Sequence, residues 1–347
     1  MKELKDIAWN ISEKEYRADS ALSQSTLAKF YREGFSSLDK LFEKTESPSL
    51  TFGSMVDTLI TGSIEEFNER FVLIQDFGLS DTLRQITKNL YDIYKGFYNS
   101  LEDIPDQILS DVAVNCGYYT DAKYYNVRVK KVKECSPYYD ELKRVDRKTP
   151  VTQLQYNDAF DCVRILKTSP NTERYFSEGT ETFKPYYQLK FKGEYNDIPL
   201  RGMLDLVWVN YEDKIIYPFD LKTSSKKEYE FPLSFMQWSY MIQASLYTEL
   251  VTQAIAKDDY FKDFEIANFQ FITINNTTRT PLVWEYKGSK AAEETAYGKE
   301  GQFKCPSWRK LATELWYYLS EKPRVPIDIK VDEPNDIIEW LNKYNDI

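Results

Sequence analysis

The sequence predicts an α/β fold: a central mixed β-sheet flanked by helices, with a large helical elaboration placed before the sheet. Three observations carry this. Two β-rich runs, 200–209 and 215–221, are separated by the polar turn 210–214 and read as a hairpin. An apolar segment with helical spacing, 231–254, follows, and its Met236, Tyr240, Gln243, Tyr247 and Val251 fall on one face. Upstream, between 76 and 180, helical patterns recur.

In chain order, the segment 21–30 is expected to be helical, with Ser23 or Ser25 as its cap. In 50–60, Gly53 lets a helix approach a neighbour closely, and Asp57 falls one turn further on. Ser63-Ile-Glu-Glu-Phe67 is a capping box that opens a short helix. Helices are predicted over 83–98 and 152–167, the second bounded by Pro150 and by Ser169-Pro170. Between them, Tyr118, Tyr119, Tyr124 and Tyr125 precede Arg128, Lys130, Lys131 and Lys133. Such a mixture is either a grip for a single nucleic-acid strand or a solvated helix face over a tyrosine-containing core. The run 183–192 reads as a strand that enters the hairpin. Strands 268–274 and 282–286 finish the sheet, and 307–320 is the best-patterned later helix. Pro323 and Pro326 break it, ahead of an acidic tail at 331–347.

The chain has 347 residues, enough to bury a large core as one elaborated domain. The expected segments are 1–75, N-terminal helices; 76–180, the helical elaboration; 181–290, sheet and helix; and 291–347, a helical end. A hydrophobic fraction of 42% marks a folded protein. No apolar run approaches a membrane span and the start lacks a signal-peptide core, so no membrane contact and a cytoplasmic location are expected. The four cysteines show no C-x-x-C spacing, which argues against zinc and against a disulfide framework. The absence of histidine excludes His-based triads, bases and metal ligands. A net charge of −10 opposes non-specific nucleic-acid binding, although local basic patches coexist with acidic exteriors.

The polar residues inside the hairpin need a reason. Asp205 interrupts an apolar strand. Asp220 and Lys222 flank Leu221, and strand alternation gives them one face. The loop length sets Asp205 opposite Asp220 to within about one residue of register. Two carboxylates and an ammonium then converge, and unpaired acids there would repel. A divalent cation removes that penalty, and hard oxygen ligands suit Mg²⁺ or Mn²⁺. The lysine is left to position or activate water, or to stabilise phosphate.

The ordered set Gly202-Met-Leu-Asp205, Asp220-Leu-Lys222 and Gln243-Ala-Ser-Leu-Tyr247 resembles the PD-(D/E)xK nucleases. Within them it is most similar to the phage and prophage exonuclease VIII (RecE-like) group. The resemblance implies a restriction-endonuclease-like core. It also implies a Mg²⁺- or Mn²⁺-dependent deoxyribonuclease, an exonuclease on linear double-stranded DNA that serves phage-type recombination. Asp205, Asp220, Lys222, Gln243 and Tyr247 would be its catalytic residues. Asp205, Asp220 and the carbonyl of Leu221 would hold the metal. Asp57 would join them where relatives carry a histidine in a G-x-x-x-H helix; the other reading is a solvent-facing helix Asp. Gln188 stands near a glutamate of the relatives, or is an ordinary exposed strand residue. Lys226, Lys227, Arg128, Lys130 and Lys131 are the expected nucleic-acid contacts. Relatives form rings around DNA, which implies a homo-oligomer, and a single-strand annealing protein is the expected partner. Some relatives carry an iron–sulfur cluster with three late cysteines; only Cys305 lies in that region, so none is expected. A nuclease-dead DNA-binding or scaffold protein of the same fold, or a related endonuclease, stays open.

Overall fold

The computed structural model describes residues 2–43, 47–145, 148–288, 295–297 and 303–321. The acidic tail 331–347 lies outside the described residues.

Along the chain run α1 (Glu13–Ala18), β1 (Leu22–Ser23), α2 (Gln24–Glu33), α3 (Pro48–Thr61), α4 (Ile64–Arg70) and β2 (Phe71–Ile74). Then come α5 (Asp81–Tyr94), α6 (Asp106–Asn115), α7 (Tyr125–Lys133), α8 (Ser136–Val145), β3 (Thr149–Thr152) and α9 (Gln153–Thr168). The core follows as β4 (Phe183–Tyr195), β5 (Ile198–Asn210), β6 (Ile215–Ser224), α10 (Phe231–Gln237), α11 (Tyr240–Ala256), β7 (Glu265–Ile266), β8 (Phe269–Asn275) and β9 (Pro281–Tyr286), with α12 (Trp308–Glu321) after it.

The central sheet is mixed, as its sequence pattern predicts. β4, β5 and β6 are antiparallel neighbours; β6 then pairs in parallel with β8, and β8 antiparallel with β9. A parallel neighbour requires a crossover, and α10 and α11 supply it between β6 and β8. The β4–β5 connection is two residues, Asn196 and Asp197, both with positive φ, the conformation that lets a tight turn match strand twist. β1 adds a short parallel pairing, Leu22 to Leu200 and Ser23 to Arg201.

Two cores cover the sheet faces. On one, α11, α2 and α12 bury Leu204, Val207, Leu246, Leu250, Phe271 and their neighbours. On the other, α3 and α9 bury Met55, Val56, Leu206, Trp208, Phe219 and Ile272. Helices α5 to α8 form the elaboration, with an apolar cluster of their own around Ile86, Leu90, Val132 and Tyr139.

The caps follow the local rules. Ser23 Oγ accepts from the Thr26 N–H at the start of α2, and Ser63 from Glu66 at the start of α4. Thr152 and Gln155 form a reciprocal capping box on α9. One expectation is corrected: 231–254 is not one helix. It breaks at Trp238 and Ser239, where Ser239 is left-handed with φ 56° and ψ 44°. Met236 therefore belongs to α10 and does not continue the face of Tyr240, Gln243 and Tyr247. Neither Gly nor Pro marks this break; packing of Tyr240 against Phe231 and Phe271 accompanies it.

Candidate active site

The β5–β6 ladder runs from Asn210↔Ile215 to Leu206↔Phe219 and stops there. The next pair in register would be Asp205 with Asp220. Beyond it β6 stays with β8 as far as Ser224↔Asn275, while β5 turns to pair with β1 at Leu200 and Arg201. The strands separate where the two acids face each other. Asp205 bridges the opening: its Oδ2 accepts the Leu221 N–H at 2.9 Å, where a ladder carbonyl would otherwise be.

The outer strand is altered at the same level. Pairs Tyr187↔Leu206 and Leu189↔Leu204 flank a gap in the β4–β5 ladder at Gln188 and Asp205. Gln188 has φ 53°. Side-chain alternation skips at this step on both strands. Tyr186 and Leu189 both face the α11-side core although three residues apart, and so do Leu204 and Val207. The skip turns Gln188 toward α3, where its Nε2 donates to both oxygens of Asp57 at 3.0 Å and to Thr61 Oγ1 at 3.4 Å. A non-glycine in this backbone region costs on the order of 1–3 kcal/mol and persists only where its surroundings fix it.

Asp220 is buried at 3% exposure. Lys222 Nζ sits 2.6 Å from its Oδ2 and 4.6 Å from the centroid of the Tyr240 ring. Gln243 Nε2 donates to Oδ1. Gln243 and Tyr247, one turn apart on α11, are both buried. Gly202 explains how α11 comes so near: a Cβ there would lie 2.8 Å from Tyr247 ring atoms and from Leu250 Cδ1. Gly53 does the same for α3, where a Cβ would meet Thr223 Oγ1 at 3.3 Å. Asp57, Asp205 and Lys222 are half-buried, so the cluster opens to solvent at one side.

Burial, and then the charge of Asp220, push Asp57 up to about 7. Burial, Asp220 and Asp57 together raise Asp205 well above the carboxylate range. Burial alone would lower Lys222, but Asp220, Tyr240 and Asp205 outweigh it, and the ammonium is held above the ordinary lysine range. Negative charge is thus in excess around one ammonium.

Among the described residues, no three His, Cys, Asp or Glu side chains form a group that could hold a metal ion. The expected set of Asp57, Asp205 and Asp220 is therefore not a preformed cage. Asp57 is engaged by Gln188, one oxygen of Asp205 by Leu221, and Asp220 by Lys222 and Gln243. Two opposed carboxylates with surplus charge still suit a hard cation, because Mg²⁺ is usually bound by one or two carboxylates plus water and substrate phosphate.

Of the basic residues expected to meet nucleic acid, Arg128 is a correction. It is buried at 4% exposure, and its guanidinium donates to Ser110 Oγ and to the carbonyls of Tyr119 and Asp121. It holds the elaboration together. The helical period places it on the inner face of α7 with Val129 and Val132, a face that the charge run alone conceals. Lys130 is exposed and Lys131 pairs with Glu134 at 2.7 Å. Lys226 and Lys227 lie just beyond β6, Lys226 Nζ on Gln237 Oε1 at 2.7 Å. Arg201, on β5 before Asp205, is also buried; its Nε donates to the Ala21 carbonyl and its guanidinium lies over the Tyr16 ring.

No family model matches the chain, and no curated protein matches it. Among solved structures, a crystal structure described as "putative exonuclease" from Eubacterium rectale shares 15% identity, covering 81% of this chain and 80% of that one, with a TM-score of 0.43. No helix among the described residues is long and apolar enough to cross a membrane.

Proposed function

We propose that this chain is a metal-dependent DNA phosphodiester hydrolase, an exonuclease on linear double-stranded DNA. One observation carries the reading: Asp205 and Asp220 oppose each other where β5 and β6 part, with the Lys222 ammonium on Asp220. Opposed acids at a strand separation, Asp220 buried and Asp205 half open to solvent, weaken the fold, and such strongly perturbed carboxylates beside a charge partner mark a candidate site for chemistry. Asp205 and Asp220 would hold Mg²⁺ or Mn²⁺, with the Leu221 carbonyl beside them and Asp57 as a further oxygen donor. The ion would supply the Lewis acidity that activates water and offsets phosphate charge. Lys222, kept protonated by its neighbours, orients the attacking water and stabilises the anionic phosphate. Gln243 fixes Asp220, and Tyr247 packs under Gly202 to set the height of β5 against α11. Membership of the exonuclease VIII group, a recombination role, a ring-shaped homo-oligomer and a single-strand annealing partner belong to this same proposal.

A second reading draws on the engagement of the acids. Since each has a protein partner, a nuclease-dead DNA-binding scaffold of this fold would look the same. Incubation with linear and with covalently closed circular duplex DNA in Mg²⁺ separates the readings. Loss of the linear form alone supports the exonuclease. Nicked circles indicate an endonuclease, and intact DNA of both forms indicates the scaffold.

A further inference from the structure

The segment that follows Lys222 carries exposed rings in a setting the hydrolase reading does not use. Tyr229 is 68% exposed, Leu233 53% and Trp238 44%. All three belong to α10 or its immediate flanks, and Tyr229, Leu233 and Gln237 recur at four-residue spacing. Each ring has a cation against it: Lys227 Nζ is 5.8 Å from the Tyr229 centroid, and the Arg32 guanidinium, reaching from α2, is 5.5 Å from that of Trp238. Lys226 bonds Gln237 and so ties the start of the segment to the end of α10. The segment is also pinned to the sheet, since Asn275 at the end of β8 donates to the Lys226 carbonyl. It therefore lies at the carboxyl ends of the parallel pair β6 and β8, the edge where open α/β sheets take their ligands.

The break between α10 and α11 places the rings. Ser239 is buried at 1% exposure and left-handed. Next to it in sequence, Tyr240 turns inward over Lys222 while Trp238 stays outside against Arg32. One residue, Ser239, thus separates a ring on the candidate catalytic lysine from a ring on the surface. A buried, left-handed Ser between them costs stability that an uninterrupted helix would not, on the order of 1–3 kcal/mol.

We infer that Tyr229, Leu233 and Trp238, with Arg32, Lys226 and Lys227, form a stacking surface for unpaired bases of a DNA strand beside the site. Exposed rings interleaved with cations, in a chain of net charge −10, match the two features that single-strand binding uses: flat faces for bases and local positive charge for the backbone. A duplex offers free base faces only at its two ends, so the surface favours single strands or frayed ends. The inference rests on the DNA-hydrolase reading for its ligand.

The test uses the full chain with a labelled single-stranded oligonucleotide and a blunt duplex, with Ca²⁺ in place of Mg²⁺, and reads affinity by fluorescence anisotropy. Tyr229→Ala and Trp238→Ala are each expected to weaken single-strand binding by about tenfold and to leave the blunt duplex nearly unchanged, while Trp238→Phe keeps most of the affinity. Thermal midpoints should not move, because these rings are exposed. Should an alanine variant misfold, the Trp238→Phe protein serves: oligonucleotide-induced tryptophan quenching seen in the wild type should drop in it. Wild-type single-strand affinity in the double variant Tyr229→Ala/Trp238→Ala, equal losses on both DNA forms, or no single-strand binding by the wild type would each overturn the inference. The two readings fail separately. Mg²⁺-dependent cleavage with unaltered binding by the variants removes the stacking surface alone. Ring-dependent single-strand binding without any cleavage removes the hydrolase alone.

Discussion

The amide nitrogen of Gln188 lies 3.0 Å from each carboxylate oxygen of Asp57, although 131 residues separate them in sequence. Gln188 reaches Asp57 only because its backbone is left-handed in mid-strand, with φ 53°. That conformation opposes stability, and the bond to Asp57 offsets it. Gln188→Gly removes the strain and the bond together, so its unfolding free energy should stay within about 1 kcal/mol of the wild type. Gln188→Val keeps the strain with a β-branched side chain and should lose about 2–3 kcal/mol. Urea denaturation of the two variants checks the ordering; equal losses would show that the left-handed turn carries no strain.

Asp57 sets a pH dependence. Its unfolded value is that of an ordinary aspartate, near about 3.9, and in the fold burial and Asp220 push it up to about 7. The folded state therefore binds the proton more tightly, so stability is fully present below about pH 4 and declines as pH rises to about 7. Asp205, raised for the same reasons, adds in the same direction. Asp57→Asn keeps the shape without the charge, and the slope of denaturation midpoint against pH should flatten between about pH 4 and 7. An unchanged slope would place the excess charge elsewhere.

Lys222 has a structural role beside the chemical one proposed for it. Its ammonium is the only cation bonded to Asp220 among the described residues, and Asp220 is buried. Lys222→Ala should abolish cleavage and also destabilise the fold by roughly 1–3 kcal/mol, because it leaves a buried carboxylate with Gln243 but without its cation. Lys222→Ala with Asp220→Asn should recover most of that stability and none of the cleavage. Denaturation and DNA digestion on the same preparations separate the two effects.

Gly202 is a packing requirement of the motif. A Cβ there would stand 2.8 Å from Tyr247 and Leu250, inside contact distance. Gly202→Ala should cost about 1–3 kcal/mol by overpacking and slow cleavage by lifting β5 from α11. A thermal midpoint equal to the wild type would show that α11 yields there freely.

Much of this arrangement is legible in the chain, for physical reasons. The strands of the hairpin, α9, β8, β9 and α12 fall where alternation, helical period and turn residues place them, since each is a local signal. The opposition of Asp205 and Asp220 is legible because turn length fixes register: Asn210 pairs with Ile215, and counting inward reaches the two acids. What is not legible depends on contacts between distant segments. No local feature shows that Gln188 is left-handed, that β1 replaces β6 as the partner of β5, or that Ser239 divides α10 from α11. Arg128 reads as part of a basic run because composition does not reveal which side of a helix is covered. Asp57 lies half-buried on α3, and the amide that engages it comes from β4, so only the fold brings the two together.

If Asp205 and Asp220 serve hydrolysis, release of nucleotides from linear duplex DNA in Mg²⁺ should depend on both, as read with wild type, Asp205→Asn and Asp220→Asn, each first shown to be folded by its denaturation midpoint. The wild type is expected to digest the DNA, either variant to lose at least about a hundredfold in rate, and none to act in EDTA. Digestion by either variant at the wild-type rate, or no digestion by the wild type under any divalent cation, would contradict that role of the two acids.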